Sequence, residues 1–301
     1  MLSELPFGFW IAWWALTGLV LGSFLNVCIH RLPRDGMTVG HPRRSRCPGC
    51  GHELSWRENV PLVSWLVQRG RCTACGWRIP WRYPLVEALT SGLFALSLWQ
   101  APDWRLGIVW SVVLAGLIVA TFVDLEWFEI PDEVSIGGIV LAPICALLVP
   151  ELHADTWVAG YFSETDEVNR FGALMGSAAG ILIGGGVLMA IGALGRRAFG
   201  EEAMGFGDVK LLAAGGGFIG PGGVLVAVFV ASLLGSLFGV AEILRTLCLL
   251  RRRARARRTE RSFARSVRAA RVAGRMIPFG PYLGIGIGIA LLAWDHVLRL
   301  L

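Results

Sequence analysis

Long apolar runs separated by polar segments make up most of the chain, and this pattern predicts an all-α protein that crosses a membrane. A helix of about 20 mainly apolar residues crosses a bilayer core. We count eight apolar runs and predict about eight transmembrane helices. The runs cover residues 7–28, 85–99, 104–123, 134–149, 171–194, 209–219, 224–244 and 277–298. The sixth is short and glycine-rich, so it either packs deep among its neighbours or continues through the turn at 220–223.

One long polar stretch interrupts the apolar pattern and divides the chain into three predicted parts. Residues 1–29 hold the first transmembrane helix, and residues 30–84 form a small domain inserted after it, which we call the Cys domain. Residues 85–301 form the polytopic part, with a basic loop at 245–275. No basic segment precedes the first apolar run, so we expect a retained helix rather than a cleaved signal peptide.

The composition agrees with an integral membrane protein. Apolar residues make up 54% of the chain and charged residues only 17%, whereas about a quarter of a soluble globular domain is charged. The mean hydropathy is +0.59. Both values argue against a soluble globular protein. The net charge of +6 comes from 28 basic and 22 acidic residues, and the placement of the basic residues matters more than their sum.

Arginine is concentrated in two segments, which orients the predicted spans. Ten arginines lie between residues 31 and 82, and twelve lie between residues 245 and 275. Six predicted spans separate the two segments, so both fall on the same side of the membrane. The positive-inside rule makes that side cytoplasmic. The acidic loop at 150–170 then lies outside, and the predicted loop at 124–133 and the segment that precedes residue 209 lie inside.

Four of the seven cysteines form two C-x-x-C pairs, Cys47 with Cys50 and Cys72 with Cys75. Two such pairs supply four thiolates to a tetrahedral metal, and zinc is the usual occupant. Disulfides or idle thiols are the alternative, which a cytoplasmic location disfavours. His52 could replace one thiolate, although a solvated surface histidine is the simpler interpretation. The other three cysteines are interpreted as small apolar residues: Cys28, Cys145 and Cys248.

Two aspartates at the ends of apolar runs are the candidate catalytic residues. Asp208 ends a G-x-G-D motif at 205–208, and Asp124 follows the run at 104–123. Carboxylates at a membrane boundary are costly and usually mark a functional site. Two carboxyl groups held close share one proton, so one can activate water while the other polarises a scissile carbonyl. We predict that Asp124 and Asp208 meet in such a dyad.

Other interpretations of these residues remain open at this point. Both aspartates could be helix caps or solvated loop ends, or they could relay protons or bind cations in a transporter. In a third interpretation only the Cys domain is active, as a methyltransferase or a partner-binding module. Asp132 has the position of a helix cap, Lys210 could extend to the membrane interface, and the role of Glu87 is open.

Motifs along nearly the whole chain resemble those of the type IV prepilin peptidase family, the G-x-G-D aspartic proteases of bacterial inner membranes. The ordered series is highly specific, whereas a lone G-x-G-D would be weak. The motifs are GSFLNV at 22–27, RLP at 31–33, ENVPL at 58–62, SWL at 64–66, RGRC at 69–72, RYPLVE at 82–87, DL at 124–125, IPD at 130–132, MGFGDVKL at 204–211 and PFGP at 278–281.

The resemblance implies a catalytic pair made of Asp124 and Asp208. It implies removal of a short basic leader from prepilins or pseudopilins at the cytoplasmic membrane face. It also implies methylation of the new amino terminus with S-adenosylmethionine, to which we assign no residue. The basic loop 245–275 is expected to lie against anionic lipid. Contact with the pilus or type II secretion machinery is the alternative for that loop, and nucleic acid is disfavoured.

Overall fold

Every regular element that the structure describes is a helix. The computed structural model describes residues 6–42, 44–163, 168–200, 204–256 and 278–293. Two short 3₁₀ helices lie at Trp56–Asn59 and Pro150–His153. The α-helices are α1 (Phe7–Arg31), α2 (Val63–Val67), α3 (Arg82–Gln100), α4 (Trp104–Trp127), α5 (Asp132–Leu148), α6 (Trp157–Tyr161), α7 (Arg170–Phe199), α8 (Phe206–Ala256) and α9 (Gly280–Leu292).

Four helical segments among the described residues are long and apolar enough to cross a membrane. They are Phe7–Arg31, Trp104–Trp127, Arg170–Ala198 and Phe206–Leu250. Helix α9 is apolar but shorter, with 13 residues. The described helices therefore support a polytopic membrane protein, whereas the count of eight spans stays a prediction.

The ends of several helices differ from the predicted spans. Helix α4 continues to Trp127, so the predicted loop at 124–133 is wrong in its first part. Helix α8 continues to Ala256, so the basic loop predicted from residue 245 begins as helix. Residues 257–275 of that loop, and the predicted eighth span beyond residue 293, lie outside the described residues.

The chain reverses direction within α8 at Gly220, where φ is 68° and ψ is 177°. On one side of this residue, a Cβ on Gly215 would lie 2.5 Å from Ile287. On the other side, Ala227 lies within 3.0 Å of the position of a Cβ on Gly286. The two arms of α8 therefore pass α9 at the same level in opposite directions, as expected for the sixth and seventh apolar runs joined by a turn. Only glycine adopts this backbone conformation readily.

The first arm of α8 packs against α7 with its backbone in direct contact. A Cβ on Gly180 would overlap the carbonyl oxygen of Gly216, and a Cβ on Gly216 would overlap that of Gly180. Glycine at both positions allows the two helices to approach closely, as is common in membrane bundles. Leu211 and Leu212 of the same arm are buried in the main core with Leu283.

Helices α1 and α3 form an antiparallel pair whose connection is the Cys domain. A Cβ on Gly18 would lie 2.8 Å from the Cα of Ser91, and a Cβ on Gly22 would lie 2.8 Å from the Cα of Glu87. The pair packs on α4, where the Trp14 indole donates a hydrogen bond of 2.9 Å to Ser111.

One end of the bundle gathers the last turns of α1 and α4 and the first turns of α3, α8 and α9. At this end Arg82 pairs with Glu126, and the Arg34 guanidinium lies 4.9 Å from the centroid of the Trp127 ring. The Cys domain leaves the bundle at the same end, so both candidate sites lie at one end.

Residues 150–161 cover the opposite end of the bundle and are partly helical. His153 is 1% exposed and lies 3.2 Å from the carbonyl oxygen of Gly217. Burial lowers the pKa of His153 to about 4, so its ring is neutral at physiological pH and donates to that carbonyl. This segment, predicted as a polar loop, packs on the turn at Gly220.

The contact between Gly180 and Gly216 predicts a position-specific loss of stability. Gly180→Ala is expected to reduce the free energy of unfolding by about 1–3 kcal/mol, because the new methyl group separates α7 from α8. Gly186→Ala on the same helix is the matched control, since a Cβ there meets nothing within 4 Å. Thermal unfolding in detergent measures the stability of both purified variants. Equal unfolding temperatures for the two variants would contradict the packing described.

Candidate active site

Asp124 lies in the last turn of α4, so it is a helix residue rather than the first residue of a loop. Its side chain is buried, with 6% of the residue exposed. The backbone N–H of Gly280, at the start of α9, donates a hydrogen bond of 2.9 Å to its Oδ2 atom. This bond fixes the orientation of the carboxyl group toward α9.

Asp208 lies in the first turn of α8, where the exposed backbone N–H groups favour negative charge. The backbone N–H of Gly205 donates to its carboxylate. Asp208 and Asp124 line one cavity of about 480 Å³, and the charge of Asp124 acts on Asp208. The structure therefore brings together the two aspartates that the sequence singled out. Neither residue occupies an N-cap position, although the bond from Gly205 to Asp208 caps the start of α8 in the manner of a capping box.

Two glycines allow the helix ends to close around this cavity. A Cβ on Gly280 would lie 2.6 Å from Oδ2 of Asp124, so any side chain there would displace the carboxyl group. A Cβ on Gly207 would lie 3.3 Å from the Cβ of Ile130. The motif PFGP at 278–281 was noted in the sequence, but its role as a backbone donor to Asp124 was missed.

The mouth of the cavity carries an ion pair between Lys210 and Asp132. The Lys210 ammonium also lies 5.5 Å from the centroid of the Phe206 ring. Lys210 therefore binds within the protein rather than extending to the interface. Asp132 is the first residue of α5 and not its N-cap, which is Pro131.

The four predicted metal ligands come together in the Cys domain. The sulfurs of Cys47, Cys50, Cys72 and Cys75 all lie within 4.8 Å of one another, and those of Cys47 and Cys75 are 3.8 Å apart. A tetrahedral zinc with bonds of about 2.3 Å would separate its sulfurs by about 3.8 Å. The four thiols therefore fit a zinc ion, which would hold the two C-x-x-C turns together.

Backbone groups favour the thiolate form at one of the four cysteines, Cys72. The backbone N–H groups of Cys75 and Ala74 lower the pKa of the Cys72 thiol to about 7. A lowered pKa suits a metal ligand, because the thiolate is the form that binds. His52 is not part of the cluster, and its Nε2 lies 3.3 Å from the carboxylate of Glu58.

Glu58 connects three segments of the Cys domain. Its carboxylate accepts hydrogen bonds from the hydroxyl of Thr73 and from the backbone N–H and hydroxyl of Ser55. These hydrogen bonds lower the pKa of Glu58 to about 2, and the bond from Thr73 has the largest effect. The carboxylate is thus ionised and acts only as an acceptor at physiological pH.

Glu87, whose role the sequence left open, lies under the Cys domain. It is 7% exposed, and its Oε2 accepts a hydrogen bond of 2.8 Å from the backbone N–H of Leu62. The hydroxyl of Ser23 also bonds to it. Glu87 therefore ties the Cys domain to α1 and α3 and does not reach the aspartates' cavity.

Comparison with known proteins decides the family. Residues 16–101 match the model of the bacterial peptidase A24 N-terminal domain, and residues 111–240 match that of the type IV leader peptidase family. The chain belongs to the type IV leader peptidase family. No solved structure gave a significant match.

Several curated relatives carry the name prepilin leader peptidase/N-methyltransferase. The protein from Aeromonas hydrophila is 33% identical over 94% of this chain and 91% of its own length. The protein from Pseudomonas aeruginosa is 32% identical over 94% of this chain and 90% of its own length. The protein from Myxococcus xanthus is 40% identical over 76% of this chain and 62% of its own length. These matches confirm the family resemblance and do not favour the transporter alternative.

The thiol cluster predicts a metal content that can be measured directly. We expect the purified protein to carry about one zinc per chain, and we expect Cys72→Ser to lose most of it because one of four ligands is gone. Cys248→Ser is the control, since that exposed thiol lies on α8 and outside the cluster. Metal analysis by mass spectrometry gives the ratio. Full zinc occupancy in Cys72→Ser would contradict a four-cysteine site.

Proposed function

We propose that this chain is a membrane aspartic endopeptidase that removes the basic leader of type IV prepilins or pseudopilins, with Asp124 and Asp208 as its catalytic pair. The observation that carries the proposal is the convergence of the two carboxyl groups, from α4 and α8, on one cavity at one end of the bundle. The names of the relatives support the substrate class.

The geometry supports a mechanism without a nucleophilic side chain. Two neighbouring carboxyl groups hold one proton between them, because both cannot ionise at low cost. The ionised group takes a proton from a water molecule, which attacks the scissile carbonyl carbon, while the protonated group hydrogen-bonds to the carbonyl oxygen. The Gly280 N–H keeps the Asp124 carboxyl in position for this step.

The rim of the cavity suits a basic leader. Glu129 and Glu133 are exposed and line the cavity beside the two aspartates, in addition to Asp132, which is paired with Lys210. Acidic groups around a cleft attract a positively charged substrate and raise its local concentration. The apolar side chains of Leu32 and Phe206 line the same cavity and can contact the apolar segment that follows the leader.

We place the active site at the cytoplasmic face of the bacterial inner membrane, in a bundle of about eight spans. The support is the gathering of the basic Cys domain and both aspartates at one end, together with the positive-inside rule. In this arrangement residues 1–29 and 85–301 form the bundle, and residues 30–84 form the cytoplasmic domain. A membrane-anchored prepilin would present its leader junction at the same depth.

We further propose that the chain methylates the amino terminus that cleavage creates, with S-adenosylmethionine as methyl donor. A zinc ion held by the four cysteines would stabilise the Cys domain, because four protein ligands leave no open position for a catalytic water. Partners beyond the pilin substrate and membrane lipid, such as the secretion machinery, belong to the same proposal.

Removing either catalytic carboxylate should abolish leader cleavage. We expect Asp124→Asn and Asp208→Asn each to reduce the cleavage rate by about 10²–10⁴-fold, because each removes one partner in proton transfer. Asp103→Asn is the control, since Asp103 lies at the opposite end of the bundle and pairs with Arg105. Purified protein and a prepilin in detergent, followed by gel separation, measure the rate. Cleavage that survives either change would remove that aspartate from the mechanism.

The close contact at Gly280 predicts a loss of activity without the loss of a carboxylate. Gly280→Ala is expected to slow cleavage by about 10–100-fold, because its methyl group would push Asp124 out of alignment. Gly288→Ala on the same helix should be neutral, since the nearest atom to a Cβ there is 3.7 Å away. Equal activity in the two variants, with unchanged thermal unfolding, would show that the alignment of Asp124 does not depend on this contact.

A further inference from the structure

A second cavity of about 450 Å³ lies between the Cys domain, the last turns of α1 and the first turns of α3. It shares no lining residue with the cavity of the two aspartates. Its size lies within the range of pockets for small molecules and cofactors, about 300–1,000 Å³. The peptidase mechanism makes no use of it.

The lining combines aromatic rings with a few polar groups. Trp65, Trp77 and Tyr83 contribute rings, and Glu87 contributes a buried carboxylate. A flat heteroaromatic base stacks on such rings, and a cationic centre is attracted to their faces. Arg31 and Arg46 also line the cavity, and each is already bonded to an acceptor within the protein. The rings and the Glu87 carboxylate are thus suited to a ligand with both a flat base and a positive charge.

Asn26 supplies an independent sign of a missing ligand. It lines the cavity and is 2% exposed. Its Nδ2 donates to the carbonyl oxygens of Gly22 at 3.3 Å and of Tyr83 at 3.1 Å, which fixes the orientation of the amide. Its Oδ1 is buried and accepts no hydrogen bond. Buried polar atoms in native proteins nearly always have a partner, and a ligand amine would provide one.

We propose that this second cavity is the binding site for S-adenosylmethionine. This inference rests on the methyltransferase activity proposed above and gives it a location. S-adenosylmethionine has a flat adenine with an exocyclic amine and a positively charged sulfonium, which match the aromatic rings and the free Asn26 oxygen. In the transfer, the neutral amine of the new terminus bonds to the methyl carbon, the sulfur–methyl bond breaks to leave a thioether, and the amine then releases a proton.

The two cavities are neighbours, which suits two reactions on one substrate. Val27, His30 and Arg31 of α1 line the second cavity, while Leu32 and Pro33 line the cavity of the aspartates. A new amino terminus made at the aspartates therefore needs to pass only the end of α1 to reach the methyl donor.

The metal cluster forms part of the wall of this second cavity. Cys47 and Cys72 line it, together with Glu58 and Thr73. Zinc bound by the cysteines would hold this wall in place. Loss of the metal is thus expected to affect methylation more than cleavage, since the aspartates' cavity contains no residue of the cluster.

The first test fills the cavity without removing a polar group. Binding of radiolabelled S-adenosylmethionine to the full chain in lipid nanodiscs is measured by equilibrium dialysis. We expect Val27→Phe to weaken binding at least tenfold while zinc content and leader cleavage are retained. Val20→Phe is the matched control, because Val20 lies on the same helix, is 65% exposed and does not line the cavity. Wild-type affinity in Val27→Phe would overturn the proposal.

A second test uses the unaltered chain and so does not depend on the folding of a variant. Ultraviolet irradiation with labelled S-adenosylmethionine, followed by peptide mapping, is expected to mark aromatic residues between positions 65 and 83. Labelling found only elsewhere in the chain would overturn the proposal.

The peptidase and the methyl-donor site can fail separately in these experiments. Asp208→Asn should retain wild-type affinity for S-adenosylmethionine, because Asp208 does not line the second cavity. A wild-type chain that cleaves prepilin but binds no S-adenosylmethionine would contradict this inference and leave the proposed peptidase activity intact. A wild-type chain that binds S-adenosylmethionine at the mapped residues but cleaves no prepilin would contradict the proposed peptidase activity and support this inference.

Discussion

Two carboxyl groups in a membrane protein can share a small cavity only if the helices that carry them come very close. A carboxylate near a bilayer is costly unless it has partners or access to water. Here Asp124 has a backbone N–H from Gly280, and both aspartates open into a common cavity. The absence of a side chain at Gly207 and Gly280 lets α8 and α9 close around it. The close contact of Gly180 with Gly216 holds α8 against α7 behind it.

The Cys domain is tied to this end of the bundle by a small number of polar contacts. Glu87 holds the backbone of Leu62, and Asn26 of α1 holds the carbonyl of Tyr83 at the start of α3. Arg82, one residue earlier, pairs with Glu126 two residues after Asp124. A continuous set of contacts therefore runs from the domain to the helix that carries a proposed catalytic residue.

Much of this arrangement could be predicted from the sequence, because it depends on local patterns. Apolar runs predicted the positions of the helices, the C-x-x-C spacing predicted the thiol cluster, and the G-x-G-D motif identified Asp208. Helix ends were less predictable. Hydropathy falls after residue 123, yet α4 continues to Trp127 because helical hydrogen bonding does not require apolar side chains. Arginine is a good helix former, which explains why α8 continues into the predicted basic loop.

Features that depend on distant parts of the chain were missed. The Gly280 N–H reaches Asp124 across 156 positions, and nothing local to either residue indicates that bond. The second cavity is formed by segments from α1, the Cys domain and α3. The only hint of this cavity in the sequence was the motif at 22–27, which contains Asn26. The motif does not reveal that the side-chain oxygen of Asn26 lacks a hydrogen-bond donor.

The antiparallel pairing of α1 with α3 has a topological consequence for the region between them. Residues 22 and 87 are in backbone contact, so the ends of the inserted domain meet at a fixed point, as the two ends of a loop do in a helical hairpin. An insertion whose ends already touch can grow, shrink or be exchanged for a short turn without changing the order or direction of the helices around it. The order and direction of the bundle helices therefore do not depend on the length of the inserted domain.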